Sequence, residues 1–258
     1  MRLYLKYFAI NLKSQMQYKA TFALNVFGRI VISFATVAGV LVMLSRFSEV
    51  EGFTLGQVLL CAAIISMSFS ITETFARGFD IFARLLGNGS FDRMLVRPRN
   101  IIFQLLASHM EFARLGILIQ ATAVLCYAIP NCGVVWTWDK ILTLALMIVC
   151  GTAVFFALST INAAFSFFTV EGLEFMNILT HGGREFGRYP YSIYGKGILR
   201  FLTFVIPLAL FQYYPLMYLL DIEKNPLYMF LPLFSLLFLL PSYAFFRIGL
   251  RRHRSTGS

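Results

Sequence analysis

Four ionisable residues, Arg29, Glu73, Glu111 and Arg114, fall in or at the edges of otherwise apolar stretches of this 258-residue sequence. A charge at mid-bilayer costs about 2.5–3.5 kcal/mol even on a lenient scale, so such residues need a partner or a purpose. Glu111 and Arg114 stand at i and i+3, share a helix face and can pair. Two kinds of work are open to the set. One is structural: ion pairing, with the long side chains snorkelling toward a membrane interface. The other is functional: Glu73 and Glu111 would line an entrance facing the cytoplasm and draw in cationic substrates, with Arg29 and Arg114 beside them. From Arg114 to Pro130 is 16 residues. At 1.5 Å per residue that is about 24 Å of helix, which sets Arg114 near one edge of its segment.

Other chemistry is poorly represented. The sequence has no HExxH, GxSxG or clustered carboxylate pattern, and no GxxxxGK[ST] phosphate-binding loop. Gly195-Lys196-Gly197 does not make one, because Pro190 stands where the first glycine is needed. His181 has no second histidine or carboxylate pair at ligand spacing, so no metal site is expected. Cys61, Cys126, Cys132 and Cys150 form no CxxC or Cys/His pattern and read as packed thiols, with Cys126 and Cys132 the one pair close enough in sequence to check. Catalytic residues and cofactors are therefore not expected.

The elements that carry these residues follow from composition. The chain is 59% hydrophobic and only 13% charged, with a mean hydropathy of +0.74. Soluble domains carry about a quarter charged residues, and a water-soluble fold of this size cannot hide so much apolar surface. A bilayer can. Six segments meet the requirement of about 20 apolar residues per crossing: near 21–44, 56–75, 104–129, 141–167, 201–220 and 228–246. The expectation is an all-α polytopic membrane protein, a single permease-like domain over 1–258. The polar, basic start lacks a cleavage-site pattern, so the first apolar segment is expected to be retained.

The net charge of +10 follows the same division. Arg46, Lys140 and Lys224 are the only basic residues of the odd-numbered connections. Seventeen others lie in the two tails and the even-numbered loops, including Arg77, Arg84, Arg93, Arg97 and Arg99 in the second, and Arg184, Arg188, Lys196 and Arg200 in the fourth. Positive residues near helix ends stay on the cytoplasmic side, so both termini and the two long loops are expected there. The basic balance is thus a topology signal and implies no nucleic acid. The odd-numbered connections, 45–55, 130–140 and 221–227, are short, and Trp136 and Trp138 suit an interfacial belt. Residues 1–20 place Leu3, Tyr7 and Ile10 at i, i+4 and i+7, with Tyr4 and Phe8 beside them and Lys6, Lys13, Ser14 and Gln17 opposite, as in an amphipathic helix on the membrane surface. Ala35 and Gly39 form a small-xxx-small pair, open to a subunit contact or to internal packing.

Residues 76–103 read ARGFDIFARLLGNGSFDRMLVRPRNIIF. Gly87, Asn88 and Gly89 break the preceding helix. Ser90 is expected to cap a short helix, with Asp92 in its first turn and Arg97-Pro98 at its close. Phe91, Met94 and Leu95, beside Arg93 and Arg97, would form a face that the loop cannot bury alone.

Six helices in about 260 residues, the GSFDRMLVRPRN loop and a later REFGRYPYSIYGKGILRFLTFVIPLALFQYYP segment resemble export-type ATP-binding-cassette permeases. More narrowly, they are similar to the bacterial type-2 permeases, which occur as paired membrane subunits with a separate ATPase. The likeness covers essentially the whole chain. It implies a permease subunit in the bacterial cytoplasmic (inner) membrane, a second permease subunit identical or related to it, a cytoplasmic ATPase partner, and surrounding lipid. It also implies that ATP hydrolysis belongs to that partner, and that Ser90, Phe91, Asp92, Arg93, Met94, Leu95 and Arg97 form the helix contacting it. For residues 168–200 two readings stay open: a cytoplasmic loop with a second ATPase contact, or a broken, re-entrant element with part of 165–183 inside the membrane. An ion-driven carrier or channel is the competing class. It usually shows charged or broken helices at mid-membrane in repeated halves, and no repeat is seen here. A membrane-embedded enzyme lacks the residues it would need.

Overall fold

Long apolar runs separated by polar turns give helices. The computed structural model describes residues 2–45, 52–169 and 174–253. It is 83% helix, with no strand among the described residues, so the all-α expectation holds. Arg46, Glu171 and Arg254, with parts of the 45–55 and 168–200 connections, lie outside the described residues.

The chain opens with α1 (Arg2–Gln15), which passes through a tight turn at Met16–Tyr18 into α2 (Lys19–Ser45). After α3 (Leu55–Phe75) come two short helical turns, Arg77–Asp80 and Phe82–Gly87, then α4 (Ser90–Leu95) and α5 (Ile101–Ser108). α6 (Leu115–Asn131) and α7 (Trp138–Phe165) are long; short helical turns between 174 and 194 follow. α8 (Gly195–Phe204), α9 (Tyr213–Leu219), α10 (Leu227–Ser235) and α11 (Leu239–Arg252) complete the order.

Among the described residues, five helical stretches are long and apolar enough to cross a membrane: Leu3–Val42, Leu55–Phe75, Phe112–Asn131, Trp138–Phe165 and Leu227–Arg252. A sixth arises only if Tyr191–Phe204 and Leu208–Leu219, bent by 92°, count as one span. The straight helix expected over 201–220 therefore does not form. Pro207 explains the break: it lacks an N–H and disfavours helical geometry in the residue before it. The helix expected over 104–129 is also interrupted. His109 is extended, and the Glu111 N–H bonds the Thr74 carbonyl 3.0 Å away instead of its own helix.

α3 is the central helix. Of its most apolar window 78% is buried, against 11% for Leu3–Val42. A helix apolar all round belongs in the interior. Glycines let its neighbours approach: a Cβ on Gly56 would lie 2.1 Å from the Asn131 carbonyl oxygen, and one on Gly116 would lie 2.6 Å from that of Val26. Small residues at such crossings are the usual means of close helix packing in lipid. A Cβ on Gly39, by contrast, would meet nothing within 4 Å among the described residues.

The buried apolar side chains form three groups along the bundle. Leu60, Cys132, Leu144 and Leu216 mark the first; Phe69, Phe155, Tyr191 and Phe211 the second; Phe79, Phe82, Phe91 and Phe246 the third. The third group lies at the end that also carries α1, the 76–100 loop and His253. Here α1 docks through Tyr4 on Phe103 and through Phe8 on Phe75 and Phe112, while Asn11 donates to the Ala107 carbonyl at 3.3 Å. Leu3 and Ile10 face outward. The stripe that fixes α1 is thus Tyr4, Phe8, Asn11 and Gln15.

The stretch after α7 does not lie outside the bundle. Gly187 sits against Ile65, ten residues from either end of α3, and a Cβ there would lie 2.6 Å from the Ile65 side chain. Gln212 Nε2 donates to the Gly187 carbonyl at 2.9 Å. Arg188 is buried beside it, paired with Glu185 at 2.9 Å. The backbone around Arg188, one of the basic residues of the fourth connection, thus packs on the middle of α3.

Candidate functional site

Two arrangements stand at the end of the bundle that carries α1 and the C-terminal end of α11. The first gathers six charges from four segments. The last turn of α3 supplies Glu73, the next helical turn Arg77 and Asp80, the interruption before α6 Glu111 and Arg114, and α2 Arg29. Arg114 reaches Glu73 at 2.9 Å with Nη2 and Glu111 at 2.9 Å with Nε. Arg77 reaches Glu73 at 2.7 Å and Glu111 at 3.1 Å, and pairs with Asp80 as well. Arg29 pairs with Glu111. The Glu73 side chain is 4% exposed, so a lone charge there would be prohibitive, and only full pairing makes it tolerable.

Burial opposes the Glu111 charge, yet Arg114, Arg29 and Arg77 hold its carboxyl below the usual range. Burial likewise works against Arg77, but Glu73, Asp80 and Glu111 raise its guanidinium above its ordinary value. Three arginines meet three carboxylates. Glu73 and Glu111 thus offer no spare negative charge to a cation, and their observed role is pairing.

The structure joins Glu111 to Arg114, but not on a shared helix face: Glu111 has φ −115° and ψ 83° and precedes the tight turn Phe112–Arg114. It also adds Arg77 and Asp80, which belong to the connection after α3. The missed signal was local: Glu73 to Arg77 is i, i+4 and Arg77 to Asp80 is i, i+3, the spacings of helical ion pairs.

His181 is not alone. One ligand atom each of Glu73, Asp80 and His181 lie within 4.8 Å of one another. The carboxylates of that trio already accept from Arg77 and Arg114, and the His181 ring packs edge-on against Phe69 at 5.1 Å. A dication there would sit beside two guanidinium groups, so the chemistry is that of an ion-pair core.

The second arrangement is the 88–100 loop. Gly89, at φ 68°, takes the left-handed turn that opens α4, a conformation open to glycine at no steric cost. Asn88 Oδ1, not Ser90, accepts a backbone N–H at this start, that of Ser90 itself, at 3.0 Å. Ser90 is the first helical residue and accepts from Arg93 Nη2 at 2.9 Å. Phe91 is 0% exposed, against Phe82 at 4.9 Å and Phe167 at 5.5 Å between ring centres. It therefore belongs to the core and not to an open face. Met94 is half-buried. Gln104 Nε2 donates to the carbonyls of Met94 and Arg99 at 3.0 and 3.1 Å, bracing the return. What remains outside is Arg93, Leu95, Val96, Arg97 and Arg99, with Val96 83% exposed. This is a short basic and apolar surface on a rigid aromatic base.

No protein of curated function and no solved structure matches the chain. A family model described as "ABC-2 family transporter protein" matches residues 30–257, nearly the whole chain, which therefore belongs to that family and is a multi-pass membrane permease of ABC-transporter type.

Proposed function

We propose that this chain is half of the membrane pathway of an ATP-driven exporter in a bacterial cytoplasmic membrane. A second permease subunit, identical or related, completes the route. A separate cytoplasmic ATPase supplies the energy and seats against Arg93, Leu95, Val96 and Arg97. The observation that carries this reading is the exposed α4 surface in a chain of this family. Apolar Leu95 and Val96 stand open between arginines, and Phe91 beneath them ties any displacement to the bundle core. Nucleotide-driven closure of two ATPases would move this element and bias the bundle between two states.

The charge distribution supports cytoplasmic ends, since α1, the 76–100 loop and α11 are basic and share one end of the bundle. We read 174–219, with its 92° bend, as a broken element inside the membrane. We read the outward face of α2, where Ala35 and Gly39 lie open, as the side available to the second permease.

Co-purification tests the docking surface. Leu95→Asp and Arg97→Glu are each expected to abolish recovery of the ATPase while leaving the permease folded. Undiminished recovery with both variants would overturn the assignment. Transport that persists without ATP would favour an ion-driven carrier instead.

A further inference from the structure

Around the neutral set of three arginines and three carboxylates stand two more arginines. Among the described residues neither Arg84 nor Arg184 has a carboxylate within ion-pair distance. Arg184 lies over the Phe69 ring at 5.3 Å, and its buried Nε has no partner within the protein. Arg84 is exposed and lines a polar cleft of about 260 Å³ together with Arg77, Asp80, Asn162 and Asn177. Asn162 is 8% exposed and its Oδ1 also lacks a partner.

A guanidinium without a carboxylate partner can take its counter-charge from a ligand. Guanidinium groups favour oxyanions, which they bind with two parallel hydrogen bonds. An asparagine amide can turn either its donor or its acceptor to the same ligand. The surplus of two positive charges beside a neutral core is the reverse of what would gather cations.

We propose that this cleft receives the oxyanion group, carboxylate or phosphate, of an amphiphilic molecule, with Arg84 at its mouth and Asn162 in its wall. The proposal rests on the exporter reading for its meaning, since the occupant would be the cargo or a bilayer lipid, but its test needs only the permease. The purified full chain, in nanodiscs of phosphatidylcholine, is titrated with dodecyl phosphate and with dodecyltrimethylammonium. Dodecyl phosphate is expected to bind and the cation is not. Arg84→Gln, an exposed position that folding tolerates, is expected to weaken phosphate binding about tenfold, as loss of a charge-assisted hydrogen bond does. Equal binding of the two amphiphiles, or unchanged affinity in Arg84→Gln, overturns the proposal. Repeating the titration in phosphatidylglycerol nanodiscs identifies the source. Competition marks a lipid headgroup as occupant, and undiminished affinity marks a solute; both keep the oxyanion site. Failure here leaves the ATPase docking result untouched.

Discussion

His253 Nε2 lies 3.0 Å from Asp92 Oδ1, joining the end of the last helix to the first turn of α4. The same imidazole packs on Phe91 at 5.3 Å and on Phe167 at 5.7 Å. The proposed docking element is therefore fastened to α11, 161 residues away in sequence. Removing the imidazole with His253→Ala is expected to cost about 1 kcal/mol for the hydrogen bond and to loosen α4. Limited trypsin digestion after Arg93 and Arg99 is expected to quicken several-fold. An unchanged digestion rate would show that the contact does not hold α4.

Phe91 separates a core role from a docking role. Phe91→Ala is expected to lower thermal stability by about 3–5 kcal/mol, the usual cost of deleting a buried aromatic. Leu95→Ala, at an exposed position, is expected to stay within about 0.5 kcal/mol. Thermal unfolding of the detergent-purified permease distinguishes them, and equal effects would return Phe91 to the surface.

In the charge core, Glu73→Gln removes one carboxylate partner from each of Arg114 and Arg77 and is expected to cost about 3–5 kcal/mol, as breaking a buried pair does. Glu111 carries a pH signature. Its carboxyl is held below the ordinary glutamate value of about 4.3. Its stabilising contribution is thus complete above that pH and is lost as the pH falls below it. The stability gap between the wild-type chain and Glu111→Gln is expected to hold its full size from pH 7 down to about 4.3 and to narrow as the pH falls further, toward about pH 2. A gap that is constant across this range would refute the pairing.

Glycine positions predict opposite outcomes for one substitution. Gly78→Ala places a Cβ 2.1 Å from the Leu105 carbonyl oxygen, and Gly56→Ala does the same at Asn131. Backbone cannot step aside cheaply, so each is expected to cost about 1–3 kcal/mol or more. Gly39→Ala meets nothing within 4 Å and is expected to leave the isolated chain's stability unchanged. Size-exclusion profiles of Gly39→Ala then report on subunit pairing alone.

Much of this protein is written locally. Sparse charge and long apolar runs require a membrane whatever the packing. Gly87, Asn88, Gly89 and Pro98 bound a short helix within a residue or two of where it forms, because turn geometry depends on neighbours only. The Glu111–Arg114 pair was also within reach of spacing. Long-range packing decided the rest. Nothing near Phe91 says whether it points out or in; Phe82, Phe167 and His253 settle that by building its pocket. Arg77 pairs locally with Glu73 and Asp80, but Glu111 and Arg114 joined them only when α3 and the 109–114 interruption met. Gly187 reached Ile65 because a residue without a side chain fits against the middle of α3, a fact that hydropathy cannot record. Sequence periodicity fixes that a helix forms and which faces it has. The partner for each face is chosen by residues tens to hundreds of positions away, and that choice belongs to the tertiary structure.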